Sequence, residues 1–190
     1  MNKRNSSLTF LIILSILLIV IFSGCIESSQ NNNESNDEGE DFTFTALDGS
    51  EKHLSDYRGK VVILDMWAAW CSPCRYQMLE LKKAYDYYSK NNLQILSLDI
   101  DSSETVAQIQ DFIDQFANYG YDLEWTFGME KDDLDRYMEE SAIPTLCIFD
   151  QKGTLHFRHA GLSYFNQIPL DWPPDQPEPP LLKEKIDELM

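Results

Sequence analysis

The chain has 190 residues, of which 43% are hydrophobic and 12% aromatic, enough for one domain with accessories and a filled core. Its formal charge is −17, and Lys3 and Arg4 are the only charges before Cys25, so the remainder is more acidic still. That balance argues against a nucleic-acid partner, which needs clustered Lys and Arg.

Residues 1–24 read as a secretory signal. Lys3 and Arg4 form a basic start, and Leu8 to Phe22 is an apolar run of 15 residues broken only by Thr9 and Ser15. The run falls short of the roughly 20 residues of a membrane span. Phe22-Ser23-Gly24 then places small residues before Cys25. The arrangement resembles a lipoprotein signal, which implies that Cys25 carries lipid; Phe22 departs from the leucine usual at its place. An uncleaved signal anchor is the alternative. Both put the domain on the extracytoplasmic face of the cell membrane. Residues 25–41 form an acidic stretch with no apolar residue from Glu27 onward, expected to be a flexible tether. Asn33-Glu34-Ser35 matches a glycosylation sequon, although an unmodified asparagine is the plainer reading.

The domain proper is expected over residues 42–190. Phe42 to Thr45 alternates at period two, Asp48-Gly49-Ser50 marks a turn, and Glu51 to Leu54 returns as a second strand, a β-hairpin. Val61 to Met66 is a short, β-branched apolar run and reads as a buried strand. Tyr76, Met78, Leu79, Leu81, Ala84, Tyr85 and Tyr88 recur at helical spacing. Between strand and helix stands Trp67-Ala68-Ala69-Trp70-Cys71-Ser72-Pro73-Cys74. A cysteine at a helix N-terminus is favoured as a thiolate by unpaired N–H groups and the helix dipole, and Pro73 fits the first turn.

Leu93 to Ile100 is the next strand, parallel to the first across a right-handed crossover. Ser103 to Ala117 reads as a helix, with Ser103 a candidate cap and Val106, Ile109, Phe112, Ile113 and Phe116 its apolar stripe. Trp125 to Phe127 is a short strand ending at Gly128, and Asp132 to Glu140 an acidic helix. Pro144 to Phe149 and Thr154 to Arg158 form an antiparallel pair around a turn at Asp150 to Gly153. Six of the eight prolines lie in residues 169–180, expected to run extended and to be pinned by Trp172. Leu181 to Leu189 closes the chain as a helix.

The segment from Leu64 to Cys74 strongly resembles the active site of the thioredoxin-like superfamily. Ile143-Pro144-Thr145, 70 residues after Cys74, is similar to that family's cis-proline segment. The hairpin before the central strand and the helix–strand insertion before Pro144 resemble the extracytoplasmic TlpA/ResA-type thiol–disulfide oxidoreductases; peroxiredoxins share the hairpin. The resemblance implies an α/β thioredoxin fold, with a central mixed sheet flanked by helices. It implies that Cys71 and Cys74 are a catalytic, redox-active pair, with Cys71 the attacking thiolate and Cys74 the resolving one. Asp65 aligns with the family's buried acid. A carboxylate inside an apolar strand should have a raised pKa and can exchange a proton with Cys74. The lysine that often pairs with this acid would fall near Ser97. Trp70, Ile143 and Pro144 would contact substrate, and Gly161 would let its backbone approach.

No metal or cofactor is expected. The implied partners are exported protein disulfides, including apocytochromes c, and a membrane thiol that donates electrons. Half of a zinc site and a static disulfide are the bland readings of the cysteine pair. Cys147 reads as an inert core thiol and His156 and His159 as edge-strand residues. The rival functions are a peroxiredoxin-like peroxidase, an SCO-like copper metallochaperone, and an adaptor acting through the proline-rich tail.

Overall fold

The computed structural model describes residues 39–131 and 134–190. The expected signal, Cys25, Asn33, most of the tether and Asp132 lie outside the described residues. Seven strands form one mixed sheet: β1 (Thr43–Ala46), β2 (Glu51–His53), β3 (Val61–Trp67), β4 (Leu93–Asp99), β5 (Thr126–Glu130), β6 (Thr145–Phe149) and β7 (Leu155–Ala160). Their order is β2-β1-β5-β4-β3-β6-β7. The helices are α1 (Ser72–Tyr87), α2 (Val106–Asn118) and α3 (Leu182–Asp187).

All seven residues of β3 are buried, which is why it reads as a continuous apolar run. It pairs in parallel with β4, from Val61↔Leu93 to Trp67↔Asp99, and antiparallel with β6. Alternate side chains go to opposite faces. Val61, Ile63 and Trp67 join Met78 and Leu81 of α1, Phe112 of α2 and Leu182 and Ile186 of α3. Val62, Leu64 and Met66 face Phe42, Phe44 and Leu54 from the segment before β3, with Leu134 and Tyr137. The three helices thus serve one face, and the N-terminal segment with a 3₁₀ turn at Leu134–Tyr137 covers the other.

The expected hairpin forms as β1 and β2, but Leu54 leaves it to start a 3₁₀ turn. β1 also pairs antiparallel with β5, joining the hairpin to the insertion. That strand extends past Gly128, whose added Cβ would lie 2.6 Å from the Thr45 carbonyl oxygen. A bare backbone is what lets β1 approach, so the glycine belongs to the strand rather than ending it.

Helix α2 begins at Val106, not at Ser103. The Ser103 side chain and N–H both bond to Asp101, while Thr105 and Gln108 form a capping box. Val106 consequently sits in the exposed first turn, while Ile109, Phe112 and Phe116 are buried as expected. The acidic helix over 132–140 is, within the described residues, only the 3₁₀ turn. Tyr76 points outward from α1. Residues 169–180 are not simply extended: N–H groups of Trp172 and Gln176 close turns onto Pro169 and Pro173 carbonyls. Trp172 does hold the segment down, packed edge-on against Tyr164.

Candidate active site

Cys71 is the N-cap residue of α1 and is joined to Cys74 as a disulfide. The Cys74 N–H donates to Cys71 Sγ at 3.2 Å, so one of the helix's orphan donors already points at the sulfur that would carry charge. No acid stands in the first turn of α1 to oppose a thiolate there. Cys71 is 3% exposed and Cys74 fully buried, so an incoming disulfide reaches Cys71 first.

Asp65 and Ser97 are directly opposite in the β3/β4 register. Asp65 has odd parity on β3, which places it on the helix face with the redox pair. Its Oδ2 accepts from Ser97 Oγ at 2.8 Å, and Ser97 accepts from the Trp125 indole N–H at 2.9 Å. Asp65 Oδ1 has no hydrogen-bond partner. Burial pushes the carboxyl group up to about 7, with the Ser97 bond pulling the other way. The Ser97 hydroxyl offsets the desolvation only in part.

The Ile143–Pro144 bond is cis. Cys71 Sγ lies 3.9 Å from the Ile143 carbonyl oxygen, so the two segments separated in sequence meet at the sulfur. Gly161, at φ +103°, donates its N–H to the Pro144 carbonyl at 2.8 Å; that backbone conformation requires glycine. Trp70 is 67% exposed beside the pair, its indole N–H tied to Asp101 at 2.8 Å. Behind α1, Gln77 exchanges two hydrogen bonds with the backbone of Ser163, and Glu80 accepts from Phe165 N–H.

Other chemistry-bearing residues stand apart. Cys147 is buried on the opposite face, and burial pushes its thiol up to about 12. His156 pairs with Asp150, and His159 stacks near Phe157 on the edge strand β7. Among the described residues no group of three or more His, Cys, Asp or Glu side chains is placed to hold a metal. Asp99, Asp101 and Glu104, beside the redox loop, were invisible to motif reasoning. The signal available was their position: an acidic run directly after a strand parallel to β3.

A cysteine pair at a helix N-terminus, in contact with a cis-proline segment at one end of a mixed sheet, defines a thioredoxin-fold thiol–disulfide oxidoreductase. Residues 36–158 match the AhpC/TSA family, and the chain belongs to it. It is 31% identical over 122 residues to the thioredoxin-like protein YneN of Bacillus subtilis, covering 64% of this chain and 68% of that one. It is 27% identical over 147 residues to the thiol–disulfide oxidoreductase ResA of Bacillus cereus, covering 73% and 81%. A crystal structure assigned as the thiol:disulfide interchange protein DsbE of Chlorobium tepidum superposes with a TM-score of 0.55. It has 26% identity and covers 65% of this chain and 83% of that one.

Proposed function

We propose that this protein reduces disulfides of exported proteins at the extracytoplasmic face of the cell membrane, held there through Cys25 or its signal segment. In the reduced enzyme the Cys71 thiolate attacks a substrate disulfide, forming a mixed disulfide and releasing one substrate thiolate. Cys74 then gives its proton to Asp65 and attacks Cys71 Sγ, releasing the second substrate sulfur as a thiolate. The substrate gains two electrons and the Cys71–Cys74 disulfide forms. A membrane dithiol would restore the pair. Ile143, beside the cis bond, would pair with substrate backbone, and Trp70 would supply apolar contact.

The observation that carries this reading is Cys71 at the start of α1, its sulfur accepting from the Cys74 N–H, on the sheet face that also holds the buried and half-unsatisfied Asp65. The resemblance to TlpA/ResA-type proteins supports the reducing direction, and apocytochromes c are the substrate class it suggests. A peroxidase is less well supported: Arg75, the nearest arginine in sequence, lies over the Phe112 ring and bonds to Gln115.

The test is the reduction potential of the Cys71–Cys74 couple in the chain lacking residues 1–24. A value near that of thioredoxin, about −270 mV, supports reduction; one near about −120 mV makes the protein a disulfide donor. Labelling with a radioactive fatty acid, lost in C25A, tests the anchor.

A further inference from the structure

β3 and β4 end side by side, at Trp67 and Asp99, so residues 99–104 run along the redox loop. Three hydrogen bonds join them. The Ile100 N–H donates to the Trp67 carbonyl at 3.0 Å, the Ala69 N–H to Glu104 Oε2 at 2.9 Å, and the Trp70 indole to Asp101 Oδ2 at 2.8 Å. The acids are themselves fixed: Asp101 Oδ1 accepts from Ser103, and Asp99 Oδ1 accepts from the Asp101 N–H at 2.7 Å.

Glu104 is 8% exposed and Asp99 only 2%. Asp99 Oδ2 meets no N–H or O–H donor, and its neighbour is the Glu104 carboxyl group. A carboxyl group buried beside another ionises only at a cost, so the charged form of Asp99 is disfavoured. Burial first, and then Glu104, holds Asp99 above the ordinary carboxylate range. The charges acting on Asp99 are those of Glu104 and Asp101; its register neighbours on β3 and β5, Trp67 and Met129, are uncharged. Glu104 is bonded to a backbone N–H two residues before Cys71.

We propose that Glu104 is a positioning residue for thiol–disulfide exchange: buried beside Asp99, it holds the Ala69 N–H and with it the turn that presents Trp70 and Cys71. Ionisation of Asp99 sets a charge beside the Glu104 carboxyl group, weakens its hold on the Ala69 N–H, and loosens the turn. The inference rests on exchange at Cys71 and not on the direction of electron flow.

The test follows the amide of Ala69 and the indole of Trp70 by nitrogen-resolved NMR in the oxidised protein, where Cys71 and Cys74 do not titrate. The Ala69 amide is expected to shift between about pH 6 and about pH 9, above the ordinary carboxylate range of about 4. Asp65 is read separately at the Trp125 indole, which reaches it through Ser97. In E104Q the new amide can accept from Ala69 and donate to Asp99, so the step disappears. E104A is expected to slow exchange about tenfold by releasing the turn, and E104Q to restore most of the rate. An Ala69 amide with no step, or an E104A exchange rate equal to wild type in both directions, overturns the proposal. Should E104A fail to fold, the wild-type and E104Q titrations decide it. A fast but oxidising enzyme would fail the proposed direction and leave this inference standing.

Discussion

Asp65 shows what burying one carboxyl group costs in stability. Its carboxyl group rises from 3.8 to about 7 through burial. The folded state therefore keeps a proton that the unfolded chain releases. Its contribution to stability is fully present below the unfolded value and is lost as pH rises to about 7. Urea unfolding at about pH 5 and about pH 8 should show wild type losing stability across that interval. In D65N the loss should be smaller by about 3 kcal/mol, on the order of two pKa units. On the proposed mechanism the same variant should exchange disulfides more slowly at neutral pH, because Cys74 loses its proton acceptor. Equal slopes in the two proteins would mean that Asp65 ionises freely. Cys147 makes the opposite case. Fully buried, with its thiol pushed up to about 12, it should resist iodoacetamide in the native reduced protein while Cys71 is alkylated. Mass mapping of the alkylated sites reads this directly.

Elements in this chain are positioned by polar ties as much as by apolar stripes. Helix α2 starts where Thr105 and Gln108 satisfy each other's neighbouring N–H groups. T105A should cost about 1 kcal/mol in chemical unfolding, the usual size of a lost N-cap. S103A, at the residue sequence reasoning favoured as the cap, should cost less than T105A. Gly128 sets how closely β1 lies on β5. G128A brings a Cβ within 2.6 Å of the Thr45 carbonyl oxygen and 2.8 Å of the Phe44 ring. It should destabilise by about 1–3 kcal/mol, as overpacking does. Thermal unfolding distinguishes this from a tolerated strand glycine, which would gain slightly from alanine.

At the scale of the molecule, the dominant feature is charge. A formal −17 over 190 residues sets acid against acid throughout the surface. Ion pairs such as Lys82–Asp86 and Lys90–Glu124 are exposed and contribute little. Added salt should therefore raise the melting temperature from its low-salt value, since screening relieves repulsion in the compact state. A melting temperature that fell with salt would show the surface pairs outweighing net repulsion. The same field would favour encounter with basic segments of a substrate.

Much of the site was legible in the residues. Strand β3, the helix after it and the Cys71–Cys74 pair follow from local pattern, because a buried strand, a helix start and a two-residue gap are short-range facts. Pro144 and Asp65 were placed by resemblance; the cis bond before Pro144 brings the Ile143 carbonyl against Cys71, and Asp65 is buried and bonded to Ser97. What the residues alone did not disclose was long-range pairing. The antiparallel β1/β5 contact, the gathering of all three helices on one face, and the acids of loop 99–104 against Ala69 and Trp70 each join segments some 30 or more residues apart. Hydrophobic periodicity says which face of an element is buried, but not which neighbour buries it. The cysteine pair and its helix were written into consecutive residues. Which carboxyl groups lie against Ala69 and Trp70, just before them, was settled when the parallel strands β3 and β4 brought their ends together.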